Sequence, residues 1–339
     1  MPPRVRRLPV AESAMSESEF EIIRRYFMRQ SLKREDVITG IGDDAAVLKV
    51  PVGQELVVCM DTLVAGVHFP EDTPAAAIGH KSLAVNLSDL AAMGATPAWA
   101  TLSLTIPENN STWIDEFSRA FCALADRHSV QLVGGDTTRG PLSVTVQAHG
   151  FVSGGSALRR KGAKPGDRIY VTGTLGDAGL ALQLRESAAD RLQKKLDYPE
   201  PRIEAGRVLA GLASAAIDIS DGLLADLGHL LEAGSSGASL QVDALPRSDA
   251  FLSTLRQSGT LKQSSWYELP LSAGDDYELC FTVPETLCSM VEQHLSVLSC
   301  GCTQIGIIEE AAGIRCYLED GTRYQPFASG YQHFDGADE

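Results

Sequence analysis

The 339-residue sequence predicts an α/β protein, helices layered on sheets, divided into two domains. Three observations carry this. From residue 55 onward, short apolar runs alternate with longer segments of helical period, the pattern of sheets packed against helices. A composition of 44% hydrophobic and 22% charged residues supplies cores for one large or two medium domains. A stretch rich in glycine and basic residues, SGGSALRRKGAKPGDR at 153–168, interrupts the alternation near the middle. The expected division is a disordered tail over 1–17, an N-terminal domain over 18–152 and a C-terminal domain over 153–335.

The opening MPPRVRRLPVAESAM has three Arg and three Pro and lacks the apolar centre of a secretory signal. Met15 is a candidate start, because MSESEFEIIRRYF reads as a Ser-capped helix with Phe20, Ile23 and Phe27 at helical spacing. ELVVCMD (55–61) follows as a strand, and PAAAIGHKSLAVNLSDLAAMG (74–94) as a long helix opened by proline and closed by glycine. WATLSLTI (99–106) and LSVTVQAHGFV (142–152) read as strands, with helix STWIDEFSRAFCALADRH and the short strand VQLV between them. After the break come strand RIYVTG, helix LGDAGLALQLRES, helix PRIEAGRVLAGLAS, strand AAIDIS and helix DGLLADLGHLLEAG. Strand ASLQVDAL, a helix near 247–258, strand YELCFTV, helix PETLCSMVEQHLSVL and strand CTQIGII complete the chain. The tripeptide GDD occurs at 42–44 and again at 274–276, without a longer repeat around it.

Lys and Arg total 29 against 44 Asp and Glu, a formal net charge of -15. Such a surface repels nucleic acid and anionic membranes, and an anionic ligand would need cations between it and the protein. No apolar run approaches the ~18 residues that span a bilayer. Seven cysteines, an odd number without a CxxC pair, fit a reducing compartment, so a soluble cytoplasmic protein is expected. There is no GxxxxGK[ST] segment and no HRD and DFG pair, which excludes a P-loop and a protein-kinase site.

The acidic residues nevertheless fall in a pattern. Asp43 and Asp44 sit between a Gly-Ile-Gly turn and an apolar run; Asp61 ends a strand, a common ligand position in α/β folds. Asp89 lies inside a helix beside Leu87 and Leu90, sharing a face with Asn86, where a carboxylate without a cation is costly. In GGDTTRG (134–140) the glycines admit a ligand close to the backbone at Asp136. Alternation in AIDISDGLL puts Asp218 and Ser220 on one strand face, and Asp221 reads either as the N-cap of the next helix or as a site residue. Many hard oxygen donors without His or Cys clusters point to Mg²⁺ rather than zinc, and Mg²⁺ held by several carboxylates implies a polyphosphate ligand. Arg139, Arg160 and Lys164 are the cations placed to meet phosphate oxygens.

GIGDDAAV, DTLVAGVHF, KSLAVNLSDLAAMGATP, GGDTTRG, GAKPGDRIYVTG, AIDISDGL and GDDYELCFTVP, in this order across residues 18–334, resemble the thiamine-monophosphate kinase family of the aminoimidazole ribonucleotide synthetase superfamily. The resemblance implies a two-domain synthetase-like fold whose N-terminal strands close a β-barrel with a partner, giving a homodimer with C-terminal α/β domains. It implies transfer of the ATP γ-phosphoryl to thiamine monophosphate, the last step of thiamine diphosphate synthesis. That transfer would run directly and in line, with several Mg²⁺ ions and no protein nucleophile. Carried over by position, Asp43, Asp44, Asp61, Asp89, Asp136, Asp218 and Asp221 would be metal ligands, and Gly135, Asp136, Arg160 and Ser220 ATP contacts. His68, Asp275 and a C-terminal aromatic, Phe327 or else Tyr331, would contact the substrate.

Three positions depart from the family pattern. Cys59 and Met60 stand where hydroxyl residues are usual, and Asp275 stands for a glutamate, one methylene shorter. Another synthetase of the superfamily, for aminoimidazole ribonucleotide, selenophosphate or hydrogenase maturation, is the nearest enzymatic alternative; the last two are disfavoured because the sequence has no N-terminal reactive Cys or selenocysteine loop and ends FDGADE rather than in a cysteine. A non-catalytic nucleotide or thiamine-phosphate sensor is the other alternative, one that would bind ATP nearly as well with Asp89→Asn.

Overall fold

The structure is a computed structural model that describes residues 19–258 and 264–331. The tail expected over 1–17, the serine cap of the first helix and residues 332–335 lie outside them. The described residues begin with a helical turn, α1 (Glu19–Ile22), that widens into a π-helical turn over Ile23–Phe27. A small antiparallel pair follows, β1 (Val37–Thr39) with β2 (Val47–Leu48). The first large unit is β3 (Gln54–Val64), α2 (Ala75–Ala92), β4 (Thr96–Ile106), α3 (Ser111–Arg127), β5 (Gln131–Arg139) and β6 (Ser143–Ser153). Its four strands form an open sheet in the order β3-β6-β4-β5, and only β4 with β5 is parallel.

One expectation changes here. The short strand VQLV does not stop before GGDTTR but takes it in as the second half of β5, because β4 pairs alongside it as far as Ile106 with Arg139. Gly135 permits this: its φ is +151°, and a Cβ there would overlap the carbonyl of Leu102 on β4.

The second unit contains β7 (Arg168–Thr172), α4 (Asp177–Leu184), α5 (Asp190–Asp197), α6 (Ile203–Leu209), β8 (Ala215–Asp218), α7 (Leu223–Gly234) and β9 (Gly237–Gln241). It continues through α8 (Asp249–Gln257), α9 (Ser265–Ser272), β10 (Leu279–Val283), α10 (Cys288–Ser296), β11 (Cys302–Glu309), β12 (Gly313–Tyr317) and β13 (Arg323–Tyr324). The strands form a seven-stranded sheet, β13-β12-β9-β11-β7-β10-β8, in which only β12 with β9 is parallel. Four of these elements, α5, α9, β12 and β13, go unread in the sequence. Helix α9 contains Pro270, α5 buries only Leu192 and Leu196 among charged residues, and β13 is two residues long.

The element that matters most for function is α2. Almost every residue on it is buried, so it has no solvent face and therefore no amphipathic stripe. It rests on β3 and β6, packs along α3 and meets α6 and β8 of the second unit. Gly79 lets α3 come close, since a Cβ there would overlap the Phe117 carbonyl. A helix belonging to the first sheet thus forms the seam between the two units.

Candidate active site

Because α2 lies in this seam, its polar residues face both units. Asn86 is fully buried; its Oδ1 accepts the Asp61 N–H at 3.1 Å and its Nδ2 donates to the Ser82 carbonyl at 3.1 Å. This pins β3 to the helix beside Asp89; the strand does not end at Asp61 as expected but runs on to Val64, because β6 pairs alongside it as far as Ser143. Two residues on from Asn86, Ser88 Oγ donates to Asp218 Oδ2 at 2.7 Å, reaching the end of β8 across the seam. Asp61, Asp89 and Asp218 therefore converge from a strand, a helix and a second strand.

They line one cavity of about 1020 Å³ together with His68, Ser220, Asp221, Asp275, Tyr277 and Tyr331. The electrostatics reflect the crowding. Burial, then the charges of Asp218 and Asp61, push the Asp89 carboxyl up to about 8, against a smaller opposing pull from Arg160. Burial raises Asp61, and burial with Asp61 raises Asp218 to about 6. Cys59 occupies the place where a hydroxyl was expected; burial and the neighbouring Asp89 and Asp61 keep its thiol protonated.

The loop after β8 explains Asp221. It is not the N-cap of α7: the capping position is Gly222, without a side-chain cap. Instead Asp226, on the first turn of the helix, folds back, and its Oδ2 accepts the N–H groups of Ser220, Asp221 and Gly222 at 2.9, 3.0 and 3.2 Å. That leaves the Asp221 carboxylate on the cavity wall.

Not every candidate reaches this cavity. Asp43, Asp44, Gly135, Asp136 and Arg160 are exposed and do not line it. Strand alternation puts Asp136 in register with Ser103 and Thr145 on the sheet face opposite α2. Val37, Ala46 and Leu48, which flank the Asp43–Asp44 turn, pack with Trp99, Val133 and Phe151 on that same face. Asp43 Oδ1 accepts the Asp44 N–H at 2.9 Å, a local turn contact. The predicted carboxylates thus divide into a cavity group and an outer-face group. Of the two C-terminal aromatics, Tyr331 lines the cavity, and its N–H donates to the Asp221 carbonyl at 2.9 Å. Phe327 is 82% exposed and stands outside the lining.

Sequence reasoning missed Lys81, Ser88, Tyr277 and Asp226. The available signal was a lysine and a serine, seven residues apart, on a helix with no polar face. Arg185, Glu71 and Asp72 on the cavity rim gave no signal, since they lie in turns of ordinary composition.

Mg²⁺ suits this donor set: the ligands are hard oxygens, and the raised Asp61, Asp89 and Asp218 carboxyls mark a negative cluster short of cations. Among the described residues no group of three or more His, Cys, Asp or Glu side chains is arranged to hold a metal ion by itself.

Two sheets joined by a buried helix, with an acidic cavity in the seam, define the class. The chain matches the AIR synthase related protein N-terminal domain over residues 42–152 and the corresponding C-terminal domain over 164–319, and it belongs to the AIR synthase related family. Within that family it falls among the thiamine-monophosphate kinases. It is 48% identical over 328 residues to the Salmonella typhimurium thiamine-monophosphate kinase, covering 94% of this chain and 99% of the relative. The thiamine-monophosphate kinase of Stenotrophomonas maltophilia K279a superposes with a TM-score of 0.81 at 44% identity, over 89% of this chain and 97% of that one. AaThiL complexed with AMPPCP and TMP superposes at 0.72 with 30% identity, over 93% and 97% of the two chains.

Proposed function

We propose that this chain phosphorylates thiamine monophosphate with ATP, yielding thiamine diphosphate and ADP. The observation that carries it is a cavity lined by Asp61, Asp89, Asp218 and Asp221 in a chain 48% identical to a thiamine-monophosphate kinase over nearly its whole length. Support for both ligands comes from AaThiL, solved with AMPPCP and TMP. Incubation with ATP, Mg²⁺ and thiamine monophosphate should yield thiamine diphosphate; folded protein that makes none would refute the assignment.

In this reading Asp61, Asp89, Asp218 and Asp221 hold Mg²⁺, which when bound neutralises phosphate oxygens and aligns them for in-line transfer. The chain's own residues do the positioning. Asn86 fixes the stretch of β3 that carries Asp61, Ser88 orients Asp218, and Asp226 shapes the loop that carries Ser220 and Asp221. His68 Nδ1 accepts the Val64 N–H at 3.0 Å, so the neutral ring bears its proton on Nε2 and offers a donor to the substrate phosphate. Asp275 contributes to the substrate side of the wall. Asp43, Asp44, Gly135, Asp136 and Arg160 serve the nucleotide from the outer face and the adjoining loop, and no protein nucleophile takes part.

Tyr331, rather than Phe327, stacks near the thiamine ring in this reading. Tyr331→Ala is expected to raise KM for thiamine monophosphate about tenfold, as loss of roughly 1.4 kcal/mol of binding would, while Phe327→Ala stays within twofold. Steady-state kinetics with both variants decides between them.

A homodimer accompanies the proposal. The edge strand β3 is eleven residues long and leaves Leu56, Val58 and Met60 exposed on alternate positions, an apolar row suited to burial against a second copy. Sheets paired through this edge would form the barrel. Val58→Lys should convert the protein to monomer in sedimentation velocity; an unchanged sedimentation coefficient would exclude this edge as the interface. No helix among the described residues is long and apolar enough to cross a membrane, and all seven cysteines are free, which supports a cytoplasmic place for the reaction.

A further inference from the structure

Lys81 is 3% exposed and is the only buried lysine or arginine among the described residues. A lysine ammonium is seldom taken out of water without a partner. Here it crosses the seam: Lys81 Nζ on α2 lies 3.1 Å from Asp275 Oδ2 in the second unit. The other oxygen, Oδ1, accepts the Tyr277 hydroxyl at 2.9 Å. Both carboxylate oxygens of this cavity-wall residue are therefore engaged by the protein itself.

The segment they hold is unusual in its backbone. Gly274, Asp275 and Tyr277 have φ values of +71°, +59° and +49°, and the last two are conformations that side-chain-bearing residues adopt only when their surroundings impose them. Two backbone bonds tie the segment to the acidic loop: Asp275 N–H to the Ser220 carbonyl and Tyr277 N–H to the Ile219 carbonyl, each 2.8 Å. Lys81 and Ser88 are two helical turns apart on one face of α2. One reaches the 274–277 segment, the other Asp218, so the same helix grips the C-terminal half of the site at two points.

We infer that Lys81 is a positioning residue for phosphoryl transfer: through Asp275 and Tyr277 it sets where the Asp218–Asp221 loop stands relative to Asp61 and Asp89. This rests on the kinase reading. It gives Asp275 a further task, the C-terminal end of a latch between the domains, and the one-methylene-shorter side chain is within reach of Lys81 at 3.1 Å.

The test uses the full-length protein, after wild-type kinase activity has been established, so that failure of the kinase assignment is scored separately. Lys81→Met is expected to lower kcat at least tenfold, with KM for ATP within threefold. Amide hydrogen exchange across 273–279 should rise at least tenfold, while exchange in β6 stays as in wild type. Lys81→Arg should restore part of both. Should Lys81→Met not fold, Asp275→Asn breaks the same pair from the other end, with the same kcat and exchange changes expected. Wild-type kcat, or wild-type exchange across 273–279, in whichever variant folds would overturn the inference, as would exchange that rises equally throughout the chain.

Discussion

Replacing Asp89 by asparagine is expected to lower kcat at least a hundredfold while making the metal-free protein more stable. The first effect follows from removing a carboxylate from the cluster proposed to hold Mg²⁺; a hundredfold loss is about 2.7 kcal/mol of transition-state stabilisation. Turnover retained above about a tenth of wild type would remove Asp89 from that role. The second effect has the opposite sign for a physical reason. In the folded chain the Asp89 carboxyl is pushed up to about 8 by burial and by Asp218 and Asp61, against an ordinary value of 3.8. Between those values the folded state retains a proton that the unfolded state releases, so Asp89 costs stability progressively as pH rises from about 4 to 8. Asparagine has no such dependence. Thermal melts in chelator should show the variant's advantage widening across that window, to the order of a few kcal/mol. Added Mg²⁺ should stabilise wild type more than the variant. A constant gap from pH 4 to 8 would refute the electrostatic account.

The largest loss of stability is expected from Arg202→Met. Glu278 is 1% exposed on the strand-entry segment before β10. It receives Arg202 through both oxygens, with Nε to Oε2 at 2.6 Å, and the Thr172 hydroxyl at 2.7 Å. Removing the guanidinium leaves a buried carboxylate with only one hydroxyl and Lys195, 3.8 Å away. Breaking such a pair from one side costs about 3–5 kcal/mol, on the order of 10 °C in Tm. The exposed pair Arg127 with Glu200 is the control, since Arg127→Ala should cost under about 1 kcal/mol. Equal effects in the two melts would contradict the burial argument.

What the sequence disclosed followed from periodicity and from oxygen-rich edges. Helices 75–92 and 111–127 and strand 143–153 are long and regular, and the sequence places them within two residues at either end. Asp61, Asp89, Asp218 and Asp221 could be singled out because each breaks a local rule: a charge closing an apolar run, in a buried helix, or where a helix begins. What stayed hidden depends on contacts between distant segments. The strand character of residues 134–139 arises from β4 running beside them, which overrides two glycines. Asp221 and Asp226 compete for one task at the start of α7, and only the fold-back of Asp226 decides it. Lys81 finds its counter-charge 194 residues away, beyond the reach of any spacing rule. The placement of Asp61 and Asp136 on opposite faces of the first sheet likewise depends on register, which the sequence carries only weakly.

The burial of α2 on all sides has a consequence for dissecting the protein. The helix belongs to the first unit but serves both: expressed alone, that unit would present to water the flank of α2 that otherwise meets α6 and β8, together with an orphaned Lys81. A backbone nick in the exposed stretch at 153–155, by contrast, cuts the covalent link and leaves that contact intact. The two fragments should therefore behave as a complementing pair, each insoluble or unfolded apart and active when refolded together, with α2 as the adhesive between them.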